Sequence, residues 1–148
     1  MKRVPIFLAI LVAAIFAAAA PGSAQEWTLP TRQMPAMPRM AEMAGGWQEG
    51  AGAWAASAQQ LSGVSVGQMR AIGDAAPRGD RAGFVRFTGE ARPVATWADR
   101  NGDGRADMVE LFRNGVLAVQ VIDADYDGRV NAVRHFDASG KPVRTTTF

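Results

Sequence analysis

Side-chain oxygens crowd two short stretches of the chain. The first runs Asp99, Asn101, Asp103, Gly104, Arg105, Asp107, and the second Asp123, Asp125, Asp127, Gly128, Arg129, Asn131. Oxygens at alternate positions 1, 3 and 5 converge on one point only if the chain wraps around it. Glycine at position 6 permits the left-handed turn that wrapping needs. The carbonyl of position 7, Arg105 or Arg129, then faces inward, and position 9, Asp107 or Asn131, contributes directly or through water. Two carboxylates about 5 Å apart repel by roughly 3 kcal/mol at an effective dielectric near 20. A divalent cation reverses that sign. Every candidate ligand is a hard oxygen, which disfavours zinc and copper at these loops. A flexible ring of six or seven ligands suits Ca²⁺ better than Mg²⁺, so calcium is the expected ion.

These loops resemble EF-hand loops, and Glu110 stands at position 12 of the first. The first departs from the pattern at position 8, where Ala106 replaces the usual aliphatic. The second carries Tyr126 at position 4 and Arg134 at position 12. Lacking the acidic twelfth position, the second loop is expected to bind more weakly. A true EF-hand pair needs helices on both sides of each loop. Only 12 residues separate Glu110 from Asp123, and Asn114-Gly115 interrupts them. The segment "VLAVQVI" is β-branched and sits poorly in a helix. The stretch therefore looks like repeats of exported bacterial proteins in which a DxDxDGxxD loop joins β-hairpins. That resemblance implies calcium-stabilised architecture and no shared enzymatic activity. An EF-hand pair and a plain interaction module with metal-free loops remain the alternatives.

The elements that position these loops follow from periodicity. Asp99 and Asp123 are 24 residues apart, and the same step relates Asp103 to Asp127, Val109 to Val133 and Phe112 to Phe136. The unit is loop, strand, turn, strand. A fainter copy without the acidic loop begins near Phe84. Short runs rich in Val, Thr and aromatics, separated by turn signals at Thr88–Glu90, Asn114-Gly115 and Asp137–Gly140, predict three hairpins over residues 84–148. Before them, three prolines between residues 28 and 40 predict an extended linker over 25–38. Met40, Met43, Trp47, Trp54 and Leu61 share one helical face, which places helix and loop over 39–83. Ser65 and Gln68 resemble a capping box that opens a short helix through Ile72. The expected fold class is α+β: short helices, then an antiparallel β-hairpin repeat, or meander.

The remaining signals bound the setting. Lys2 and Arg3, an apolar run from Ile6 to Ala20 and small residues at Gly22 and Ala24 read as a signal peptide over 1–24. The expected destination is periplasmic or secreted, with no membrane contact after cleavage. The chain has 16 Lys plus Arg against 14 Asp plus Glu. Without Lys2 and Arg3 these balance, so nothing favours a nucleic-acid partner. A protein partner, if there is one, is unknown from sequence. There is no cysteine. Met34, Met37, Met40 and Met43 recur every third residue, a spacing that raises copper handling as an alternative because thioethers suit Cu(I). His135, the lone histidine, is expected to face solvent from a strand, and Trp97 to lie in the core. No nucleophile–base set or phosphate loop is visible, so the chain is read as a non-enzyme.

Overall fold

A computed structural model of the chain describes residues 26–43, 52–73 and 79–148. The leader reading and Trp47 lie outside them. Among the described residues seven antiparallel strands form one sheet in sequence order: β1 Arg70–Gly73, β2 Phe84–Gly89, β3 Arg92–Ala98, β4 Met108–Arg113, β5 Val116–Ile122, β6 Ala132–Phe136 and β7 Pro142–Thr147. Helix α1 is the single turn Met40–Met43, and α2 spans Gly52–Ser62. The expected meander of hairpins is present. The helix expected through Ile72 is not: a 3₁₀ turn ends at Gln68, and Arg70–Gly73 instead pairs with β2 as β1. Backbone groups on the free edge of β2 gain partners that way, which one more exposed helical turn would not supply.

Register puts one face of the sheet in the core. Val85, Trp97, Val109, Val121 and Val133 lie in one row across the strands, and Phe87, Ala95, Leu111, Val119 and His135 in the next. All of these but His135 are buried. Trp97 is 2% exposed and meets Phe87 edge-on at 5.0 Å between centroids. Helix α2 covers this face with Trp54, Ala58 and Leu61. Its buried Ser57 accepts a hydrogen bond from Trp27 Nε1.

The proline-rich segment is extended, and its backbone is bonded along its length. Residues 32–40 run as a strap across the loop ends of the sheet. Gln33 bridges Arg129, Ala36 bridges Arg105 and Arg39 bridges Arg81. Each step of three strap residues thus matches a step of 24 residues in the repeat. The match is dimensional. Three residues of polyproline-type chain advance about 9.3 Å, and one hairpin advances two strand spacings, about 9.6 Å. Met34, Met37 and Met40 donate their amides to the carbonyls of Gly128, Gly104 and Asp80. The methionine spacing is therefore the pitch of the hairpins. Met34 and Met37 are 1% and 0% exposed and belong to the apolar core, whereas Met40 is exposed. The bridge at Arg81 extends the 24-residue step upstream of Phe84: Arg81, Ala82 and Val85 stand where the next copy has Arg105, Ala106 and Val109.

Candidate metal centre

Both acidic loops connect strands, β3 to β4 and β5 to β6, so neither is flanked by helices. Each is organised around its first carboxylate. Asp99 is 3% exposed and accepts the amides of Gly102 and Gly104 at 2.6 and 2.9 Å. Asp123 is 2% exposed and accepts those of Tyr126 and Gly128, both at 2.8 Å. The fifth-position carboxylates repeat a second motif: Asp103 accepts the amide of Arg105, and Asp127 that of Arg129, each at 2.8 Å. At position 9 the side chain closes the loop onto position 2. Asp107 accepts the amide of Arg100, and Asn131 accepts that of Ala124.

The strap fixes the inner wall. Gly128 O accepts from Met34 and Val130 N donates to Arg32 O, on either side of the pair Gln33 and Arg129. In an antiparallel bridge of this kind the paired residues turn their own N–H and C=O away from each other. The Arg129 peptide groups therefore face the loop rather than the strap. Arg105 is held in the same way, through Met37 to Gly104 O and Ala106 N to Pro35 O. The sixth-position glycines are favoured by their backbone conformation and have a close neighbour besides. Their φ values are +85° and +83°, and an added Cβ would lie 3.0 Å from the Arg81 side chain at Gly104 and from the Arg105 side chain at Gly128.

The loops differ in what fills them. In the second, carboxylate oxygens of Asp123, Asp125 and Asp127 all lie within 4.8 Å of one another. Burial pushes the Asp123 carboxyl above its usual range. Amides from Gly128 and Tyr126 oppose that shift, while Asp125 and the charge of Asp127 add to it. In the first loop Asn101 replaces the middle carboxylate and bonds Asp103 through its amide at 3.0 Å. Arg100 Nε then pairs with Asp107 at 2.5 Å, so a cation from the chain itself already serves that loop. That same bond raises the Arg100 guanidinium further. The Arg100 guanidinium also lies 5.7 Å from the Tyr126 ring centroid, linking the two loops.

Glu110 is not brought to the first loop. It lies within β4, where its two oxygens accept from Thr96 Oγ1 at 2.9 Å and Gln120 Nε2 at 3.0 Å. A helix after the loop would return position 12 to the ion; a strand carries it away. His135 also departs from expectation. It lies on the core face of β6, half-buried, 6.0 Å from the Trp27 ring, with Nε2 3.2 Å from Arg144 Nη2. Burial and the Arg144 charge lower its pKa. The role missed from sequence was that of the arginine side chains. Arg81 and Arg105 reach the strap carbonyls of Met37 and Met34. Their signal was the repeated Arg one or two residues beyond the loop Asp, at 81, 105 and 129.

No family model, curated protein or solved structure matches this chain. Among the described residues no helix is long and apolar enough to cross a membrane.

Proposed function

We propose that this is an exported calcium-binding structural or interaction protein, in which Ca²⁺ stabilises a strapped β-repeat. The observation that carries the reading is the convergence of Asp123, Asp125 and Asp127 within 4.8 Å on a loop held from outside by the strap. Metal-free, that loop has three negative groups close together and a buried carboxyl whose ionisation burial opposes. A divalent cation offsets both penalties. Asp123, Asp125 and Asp127 would supply carboxylate oxygens, and Arg129 its inward carbonyl. The amides already bound to Asp123 leave lone pairs on each oxygen for the ion. Because Glu110 takes no part in the first loop, position 12 no longer ranks the sites. The second loop is the stronger, and the first, with Asn101 and the Arg100–Asp107 pair, the weaker or silent one.

A cation bound only by the folded form adds RT ln(1 + [L]/Kd), about 2.7 kcal/mol at a hundredfold excess. Weak extracellular-type sites, with Kd about 10⁻⁴ to 10⁻³ M, would suffice. Thermal unfolding with EDTA and then with excess Ca²⁺ tests the reading. A rise in midpoint of roughly 10 °C is expected at that excess. An unchanged midpoint removes the structural role.

A further inference from the structure

Among the described strands, β7 forms one edge of the sheet. All six residues of β7 are exposed, Val143 is 63% exposed, and Phe148 beyond them is 53% exposed. Among the described residues β7 pairs only with β6. Phe148 donates its amide to Asn131 O, and the register matches Thr146 with Val133 and Arg144 with His135. Alternation along an antiparallel ladder then directs the N–H and C=O of Thr145 and Thr147 outward, away from β6. Natural edges are blunted by lysine, proline, a bulge or inward charge. Here Pro142 and the register shift both lie at the start of the strand, by the turn, and Arg144, an inward-pointing charge, is paired with Glu26. From Thr145 to Thr147 none of these devices is present.

The sequence of this edge is complementary to itself. Set antiparallel to a second copy about a two-fold axis at Thr145, Thr145 faces Thr145. Arg144 then faces Thr146, and Val143 faces Thr147. No like charges meet directly, and the one threonine–threonine pair, at the axis, favours such a ladder. The single charge on the strand, Arg144, is already paired with Glu26 at 2.6 Å on its own chain. The opposite edge suits this pairing less well. β1 has four residues, begins with Arg70, and ends at Gly73.

We propose that β7 is a self-association edge, and that two copies of this chain join through it into one continuous sheet. The two-fold pairing consumes the β7 edge of both copies and therefore stops at the dimer. Nothing in it requires a metal ion.

Analytical ultracentrifugation of the full chain tests this from about 5 to 500 μM, with EDTA present. The expected result is a rise from the 15.7 kDa monomer to twice that mass and no further. Hydrogen exchange supplies the address. The Thr145 and Thr147 amides should slow with rising concentration, while the Asn114 turn amide should not. Thr145→Pro removes one outward donor without touching the β6 ladder and should weaken association at least tenfold. Thr145→Lys, which sets two lysines face to face, should do the same should the proline variant not fold. A monomer throughout overturns the proposal, as does concentration-independent exchange at Thr145 and Thr147. Growth beyond the dimer points to head-to-tail β1–β7 joining and also overturns it, as does association that survives both substitutions.

Discussion

The two acidic loops share a backbone and differ in their side-chain charge. Each has a buried aspartate gathering two amides, a glycine at positive φ under an arginine stem, and a strap amide on its sixth carbonyl. The first then fills its side-chain ring from within, with Asn101 in the middle and Arg100 on Asp107. The second leaves three carboxylates together. One backbone geometry thus carries either a guanidinium–carboxylate pair or three clustered carboxylates. Loop shape alone does not decide which; the side chains at positions 2, 3 and 9 do.

The strap beneath the two loops carries the largest expected effects. Met34→Ala empties a fully buried site beneath the second loop, and Met37→Ala does so beneath the first. Each should cost about 2–5 kcal/mol in chemical denaturation. Met40→Ala, at an exposed position, should stay within about 0.5 kcal/mol. Equal losses at all three would show that the strap is not docked as described. The next largest effect is at the glycines. Gly128→Ala and Gly104→Ala combine positive φ with a 3.0 Å approach to an arginine stem, so each should cost roughly 1–3 kcal/mol.

Exchanging the middle residues sharpens the contrast. Asp125→Asn relieves repulsion, so the metal-free protein should gain roughly 1 kcal/mol while its calcium response falls at least tenfold in affinity. Asn101→Asp should act in reverse, lowering metal-free stability by a similar amount and giving the first loop a calcium response. If both variants leave the response unchanged, the side-chain account of the difference fails. The smallest effect is expected at Asp137 in the β6–β7 turn, where bonds from Ser139 and Lys141 hold the carboxyl below its ordinary range. A lowered carboxyl contributes stability that is present above its unfolded value, near 3.8, and is lost as pH falls through the lower folded one. Asp137→Asn should flatten the acid limb slightly, by lowering stability a little near neutrality and not at low pH, with no change in the calcium response.

Much of this architecture was legible because strands with one buried face write alternation into the sequence. Val109 and Leu111 with Val119 and Val121 announced their pairing, and Asn114-Gly115 announced the turn between them. The loops were legible for the same local reason. What stayed hidden depends on distant partners. The strap's prolines exclude regular structure locally, and its methionine period has meaning only beside hairpins 9–10 Å apart, so it resembled a soft-metal motif. β1 is too short to show a period. Glu110 matched a helical loop pattern by count, but the strand that follows carries it to Thr96 and Gln120. His135 is polar in a row otherwise apolar, and polarity alone suggested solvent.

The most direct test of the central claim is calorimetric titration of Ca²⁺ into the protein and into Asp125→Asn side by side. One dominant binding event is expected in the parent chain, with Kd about 10⁻⁴ to 10⁻³ M, and its loss in the variant. No binding in the parent, or equal binding in both, would contradict it.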